Sequence, residues 1–282
     1  MPYSKRDDFC IFVISHGKPT NDTFEQLTLL KCTYPIYIVI DDKDPKLDQY
    51  IEKYGEDKVC IFSKTEYAKK CDMFDNFDFD KVIIFARNAC YDFAKKLGYK
   101  YFIELDDDYN EFAFRFPGKK WIHMKKSRID DVFTLYVDYY EKFDKIKILA
   151  FMQGADITGI VNGRPLRKSM NTLICSTDRR VVFNGRINED VNSYTRGNQL
   201  GDIFISFPHV TIHQRASQTG NGMSKTYETF GTYTKSFYSV IQCPSFVKIS
   251  VLQSPTSYRI HHNINTRFGV AKILSSRYKK ID

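Results

Sequence analysis

The chain has 282 residues, 43% of them hydrophobic and 27% charged, with 42 Lys and Arg against 34 Asp and Glu for a formal charge of +8. This length suits one large α/β domain, and the composition excludes a disordered or collagen-like chain. No apolar run approaches the roughly 18 residues of a membrane span, and a basic excess favours polyanionic partners.

Seven cysteines lie at positions 10, 32, 60, 71, 90, 175 and 243, with no CxxC pair. An odd count inside apolar runs reads as reduced, buried thiols of a cytosolic protein. The polar start Met1-Pro2-Tyr3-Ser4-Lys5-Arg6 carries no signal-peptide pattern, so the expected location is cytoplasmic.

In chain order, Phe9–Ile14 reads as a buried strand that stops at the turn Ser15-His16-Gly17-Lys18-Pro19. A helix is expected over Thr23–Leu30 and a second strand over Ile36–Ile40, ending at Asp41-Asp42. Asp44 is placed as the cap of a helix with Pro45 at its first position, and Gly55 as its stop. Val59–Phe62 is the third strand, Asn88–Leu97 a helix capped by Asn88, and Tyr101–Leu105 the fourth strand. The β-α-β-α-β…α-β order implies a mainly parallel, Rossmann-like sheet with helices on both faces. The second half is less regular. It holds a helix over Asp130–Lys142, strands near Lys147–Met152, Thr172–Ser176, Ile203–Phe207 and Val210–His213, a helix within Thr226–Gln242, and a strand over Phe246–Val251. With no linker or repeat, the expectation is one domain, 1–282, with a donor-binding half over 1–110 and an acceptor-binding half over 111–282.

The fourth strand runs into Asp106, Asp107 and Asp108. Three adjacent carboxylates repel one another unless solvated or neutralised. In an open parallel sheet, ligands gather at the carboxyl ends of the strands. A divalent cation shared with substrate phosphates would neutralise the run, which favours a metal site over a solvated acidic loop. Such a cation assists departure of a diphosphate, the chemistry of the DxD signature, with Asp106 and Asp108 as the outer pair.

The wider pattern is more specific. Ile38-Val39-Ile40-Asp41-Asp42, Ala86-Arg87-Asn88 and Glu104-Leu105-Asp106-Asp107-Asp108-Tyr109 are followed by Gly185-Arg186-Ile187-Asn188-Glu189-Asp190. Then come Gln218-Thr219-Gly220-Asn221-Gly222 and Arg259-Ile260-His261-His262. Over residues 9 to 265 this resembles the DNA-base glycosyltransferases associated with TET/JBP dioxygenases, which include base-J glucosyltransferase-like and bacteriophage proteins. The resemblance implies a GT-A fold and a nucleotide-sugar donor, most readily a UDP-sugar. It also implies Mn2+ or Mg2+, and transfer onto a hydroxymethylated pyrimidine of DNA.

On that reading Ser15, His16, Asp41, Asp42, Arg87, Asp106 and Asp107 serve the donor, and Asp106, Asp108 and His262 the metal. Asp190, narrowly ahead of Glu189, is the base that activates the acceptor hydroxyl. A structural ion pair is the competing role for Arg87, and a helix N-terminus capped by Asn188 the competing role for that acidic pair. His209 and His213 are read as structural. Arg115, Lys119, Lys120, Trp121, Lys125, Lys126 and Arg128 form a basic, aromatic segment suited to a DNA backbone, expected near the site because it follows the aspartates. Arg164, Arg167, Lys168, Arg179 and Arg180 are candidates to extend it. Rival functions are a glycosyltransferase acting on glycan or protein, a sugar-phosphate nucleotidyltransferase, and a non-catalytic DNA-binding module.

Overall fold

A computed structural model describes residues 4–77, 82–116, 121–153, 166–214, 233–253, 258–265 and 269. In chain order the strands are β1 (Phe9–Ile14), β2 (Ile36–Asp41), β3 (Val59–Phe62), β4 (Tyr101–Asp106), β5 (Tyr109–Phe114), β6 (Ile122–His123), β7 (Ile146–Gln153), β8 (Leu173–Ser176), β9 (Ile203–Gln214), β10 (Val247–Gln253) and β11 (Tyr258–Ile264). The helices are α1 (Asp22–Leu29), α2 (Leu47–Tyr54), α3 (Lys64–Lys70), α4 (Ile84–Lys96), α5 (Ile129–Glu141), α6 (Glu189–Gln199) and α7 (Thr234–Gln242). Nine strands form one mixed sheet in the order β3-β2-β1-β4-β8-β7-β9-β5-β6. Pairing is parallel from β3 through β4. It is antiparallel at β4-β8 and β7-β8, parallel again at β7-β9, and antiparallel at β9-β5-β6.

Strand β1 shows why the parallel half forms. All six of its residues are buried. Phe9, Ile11 and Val13 join one core, with Leu27 of α1, Tyr50 of α2 and Phe133 of α5. Cys10, Phe12 and Ile14 join the other, with Tyr67 of α3, Phe85 of α4 and Tyr194 of α6. Alternation of side chains along a strand requires such two-sided burial of an unbroken apolar run. The expected α/β architecture is therefore present, with helices on both faces. The sheet draws strands from both the 1–110 and the 111–282 halves.

Several local expectations are corrected. Helix α2 begins at Leu47, not at Pro45. Asp44 does not cap it; its carboxylate accepts the Lys46 and Gly17 amides. Helix α4 begins at Ile84, so Asn88 lies inside it, where its amide donates to the carbonyls of Ile84 and Phe183. The two strands expected at Ile203–Phe207 and Val210–His213 are one strand, β9. The β7 ladder slips there, with Phe151 opposite Phe207 and Met152 opposite Thr211. That slip accommodates Pro208, which cannot donate to a ladder. Helix α7 starts at Thr234, and residues 226–232 of the expected helix lie outside the described residues.

Strands β10 and β11 form a separate antiparallel hairpin. Its base packs with α7 through Cys243, Phe246 and Val247. Among the described residues no helix is long and apolar enough to cross a membrane. The seven cysteines are free thiols.

Helix α6, whose first residue is Glu189, is seated on the sheet by Gly197. A Cβ there would meet the Phe204 ring at 2.0 Å. Gly197→Ala should therefore destabilise the protein by about 1–3 kcal/mol through overpacking, despite the better helix propensity of Ala. Urea denaturation checks this, and an unchanged midpoint would show that Phe204 moves aside freely.

Candidate active site

The parallel register brings three strand ends to one edge. Ile14 pairs with Asp106 across β1-β4, and Asp41 ends β2 beside β1. Ser15, Asp41 and Asp106 therefore emerge together. The aspartate turn is held by the start of α1. Asn21 caps that helix by accepting the Phe24 amide at 2.7 Å. The Asp22 amide donates to the Asp107 carbonyl. Thr23 Oγ1 donates to the Asp106 carbonyl at 2.5 Å and accepts the Tyr109 amide.

The three aspartates have different partners. Asp107 accepts from Ser15 Oγ at 2.7 Å and lies 3.4 Å from Lys18 Nζ. The Lys18 amide donates to Tyr50 Oη, which lies 2.8 Å from Ser15 Oγ, so this chain of bonds braces the 15–18 turn. Asp108 accepts from Gln214 Nε2, while its Oδ1 is buried with no hydrogen-bond partner among the described residues. Burial, with help from Asp106 and Asp107, pushes the Asp108 carboxyl up to about 6. Asp106 Oδ1 lies 2.8 Å from Arg87 Nη2.

Arg87 is fully buried in α4 and serves three carboxylates. Besides Asp106 it meets Glu104 of β4 at 3.4 Å and Glu189 of α6 at 3.5 Å. One cation cannot neutralise three anions in a medium of low polarity. Burial pushes Glu104 up to about 8 and, with repulsion from Asp190, Glu189 up to about 7. Its guanidinium is thus committed to carboxylates, the ion-pair role, and is not presented to a donor phosphate.

Asn188 occupies the N-cap position of α6 in the left-handed region, with φ of 59°, but its side chain does not cap. Its amide instead donates to the Lys235 carbonyl at 2.8 Å and lies 3.3 Å from His262 Nδ1. Asp190 accepts its neighbour Val191's amide at 2.7 Å. It is therefore tied to its own backbone, whereas Glu189 is tied through Arg87 to Asp106.

On the β2 side, His16 Nδ1 lies 3.1 Å from Asp41 Oδ2 and 3.3 Å from Asp44 Oδ2. Lys64 Nζ lies 3.7 Å from Asp41. Asp42 is exposed and accepts the Lys64 amide at the start of α3. An open cleft of about 350 Å³ adjoins this edge, lined by Gly17, Lys18, Pro19, Thr20, Lys46 and Gln49.

The residues fit a divalent cation in part. Asp106 and Asp108 supply hard oxygens, and the unpartnered Asp108 Oδ1 is an acceptor with nothing to accept. Magnesium is commonly held by one or two carboxylates plus substrate phosphates. Among the described residues, no group of three or more His, Cys, Asp and Glu is arranged around a common point, so His262 does not complete a cluster with the aspartates. Burial lowers His262 to about 4, and it sits against Asn188.

Within the basic segment Arg115 lies at the far end of β5, and β6 runs back along that strand, with the Met124 amide donating to the Phe112 carbonyl. Strand β5 carries the chain roughly 17 Å beyond Asp108 before Arg115, and the segment turns back into β6 at the sheet edge. Lys125 and Lys126 are exposed, Arg128 pairs with Asp131 at 3.0 Å, and the Trp121 indole donates to Glu111. Lys119 and Lys120 lie outside the described residues, as does the 218–224 loop. The second basic group is largely consumed internally. Arg179 donates to the carbonyls of Tyr140, Phe143 and Ile146, Arg180 pairs with Asp92, and Arg167 donates to Asn198. Arg164 lies outside the described residues.

Sequence reasoning assigns no functional role to Glu104, Lys18, Lys64 or Gln214, and to Asp44 only that of a helix cap. A signal for Glu104 existed: it is the one charged residue before Asp106 in a fully buried strand. No local signal marks Gln214, which reaches Asp108 only because β9 pairs with β5.

Removing the cation should leave three buried carboxylates unpaired. Arg87→Met is expected to cost about 3–5 kcal/mol, measured by urea denaturation, with Arg87→Lys intermediate. A second outcome follows from proton linkage. Between about pH 5 and 8 the unfolded carboxylates are ionised, while native Glu104 and Glu189, with their raised values, retain protons. Stability of the metal-free protein must then fall as pH rises across that window. Melting temperatures at pH 6 and pH 8 test this, and Glu104→Gln should flatten the difference.

Against known proteins, residues 9–223 match the family model described as TET-Associated Glycosyltransferase. No match is found among the curated proteins. Among solved structures, glucosyl-3-phosphoglycerate synthase from Mycobacterium tuberculosis, in complex with Mg2+ and UDP, superposes with a TM-score of 0.46 at 11% identity, covering 91% of this chain and 87% of that one. GalNAc-T7 with UDP, GalNAc and Mn2+ gives 0.42 at 12% identity, covering 73% of this chain and 43% of that one. These likenesses are distant, and the family match carries the assignment. The chain belongs to the TET-associated glycosyltransferase family.

Proposed function

We propose that the protein transfers a sugar from a nucleotide-sugar donor, a UDP-sugar, to the hydroxyl of a hydroxymethylated pyrimidine in DNA. The observation that supports this most directly is the grouping of Asp106 and Glu189 around the buried Arg87, with the unpartnered Asp108 Oδ1 two residues on from Asp106. Family membership supplies the reaction class.

The residues divide the work. The turn 15–18, with Lys18 and Lys46 on the adjoining cleft, receives the donor, and Asp41 and Asp42 at the end of β2 accept from its nucleoside. Asp106 and Asp108 would hold Mn2+ or Mg2+, which when bound stabilises the departing diphosphate. Glu189 accepts the proton of the acceptor hydroxyl. The freed oxygen bonds to the anomeric carbon as the sugar–phosphate bond breaks, and the nucleoside diphosphate leaves with the electron pair. Burial raises both Glu189 and Asp190 towards the range of a general base; Glu189 is the proposed base because it joins the Arg87–Asp106 group, whereas Asp190 is tied to the Val191 amide. Attack opposite the leaving group inverts the anomeric centre.

The test is incubation with duplex DNA containing 5-hydroxymethylcytosine or 5-hydroxymethyluracil and a panel of nucleotide sugars, read by nucleoside mass spectrometry. One donor–base pair should give a hexose or pentose mass increment, and none with any pair would refute the proposal. Asp106→Asn, Asp108→Asn and Glu189→Gln should each lower transfer by about 10²–10⁴-fold, whereas Asp190→Asn should be milder.

A further inference from the structure

The formal charge is unevenly distributed. Residues 203–282 contain ten Lys and Arg against only Glu228 and Asp282, a net of +8 that equals the charge of the whole chain. Residues 1–202 are therefore balanced. Of the ten cations, Lys235 is on α7 and Lys248 and Arg259 are on the hairpin, two elements that carry no acidic residue; the other seven lie outside the described residues.

The hairpin itself has an unusual face. Cross-strand partners share a face, so Val247 and Ile264, Ile249 and His262, Val251 and Ile260, and Gln253 and Tyr258 line one side. The base of that side is buried: Val247 packs with Phe246 and Cys243. Its outer part is bare, with Val251 at 66% and Tyr258 at 72% exposure, and Ile249 and Ile260 also exposed. A two-stranded hairpin is marginal alone, and an unpartnered apolar face marks an interaction site. The apolar row extends without a break from the core into solvent.

We propose that this hairpin is the arm that engages duplex DNA, its outer apolar face lying against the bases. The inference rests on DNA being the acceptor, as proposed above. Charge selects this occupant. A second copy would bring two +8 segments together, whereas a polyanion is attracted to them. Dimensions agree: seven paired positions span roughly 20 Å, and the major groove admits a two-stranded ribbon. The C5 hydroxymethyl group of a modified pyrimidine lies in that groove. Position agrees as well. His262 on the same face lies against Asn188, one residue from Glu189, so the arm begins at the acceptor side of the site. Exposed Lys248 lies on the opposite face of the ribbon, next to the buried base.

The full chain is tested with fluorescently labelled duplex DNA, with and without 5-hydroxymethylcytosine, by anisotropy over a range of salt. Val251→Ser/Tyr258→Ser should raise Kd at least tenfold. Binding of UDP with Mn2+, read by calorimetry, should not change. Tyr258→Ser alone is measured in parallel, so that a lowered melting temperature in the double variant leaves a folded protein to read. Wild-type binding that both variants retain would overturn the hairpin assignment while leaving a DNA acceptor standing. Wild type that binds no duplex at low salt would overturn both. A wild-type dimer in sedimentation that the double variant dissociates, with DNA affinity unchanged, would make the face a self-association surface and overturn the proposal.

Discussion

The pairing of one buried guanidinium with three carboxylates is the constraint around which the site is organised. Arg87 comes from α4, Glu104 and Asp106 from β4, and Glu189 from α6. Each charge would be prohibitive in the interior by itself. Together they fix the relative positions of three elements that are distant in sequence. The excess of negative charge leaves the group short of neutrality, and the shortfall appears as raised carboxyl values. Asp106 is held at the strand end by the same guanidinium.

A second layer of fixation comes from α1. Its first turn grips the backbone of 106–109, so the aspartate side chains fan out from a rigid turn towards different partners. Asp107 is absorbed by Ser15 and Lys18, and Asp106 by Arg87, while Asp108 retains a bare oxygen. Three identical residues in a row therefore have three different electrostatic situations. That difference arises from neighbours, since the residues themselves are alike.

The parallel half of the fold was legible because its strands are short apolar runs bounded by turn residues, and burial on both faces demands such runs. The position of the aspartates at a strand end followed from the same pattern. What was illegible depended on partners distant in the chain. Arg87 reads as the residue just ahead of a helix because Asn88 resembles a cap; the helix starts at Ile84, so Arg87 lies inside it with its guanidinium buried. Arg115 is near the aspartates in sequence, but the length of β5 lies between them. Arg179 and Arg180 read as free cations, though carbonyls at the end of α5 and Asp92 claim them. Charge is visible in a sequence; whether it is already spent is not.

Asn188 stands between two structures of different character. On one side Glu189 is bound into the carboxylate group, and on the other the Asn188 amide reaches α7 and His262 of the hairpin. A left-handed backbone at this junction turns the chain sharply between them. The consequence is modularity in evolution. Under the roles proposed above, substitutions along the outer hairpin can change what is recognised without disturbing the buried charge cluster. Those charges, mutually dependent, can change only in concert. Sequence divergence within such a lineage should then be rapid on the arm and slow at the cluster, separated by a single asparagine hinge.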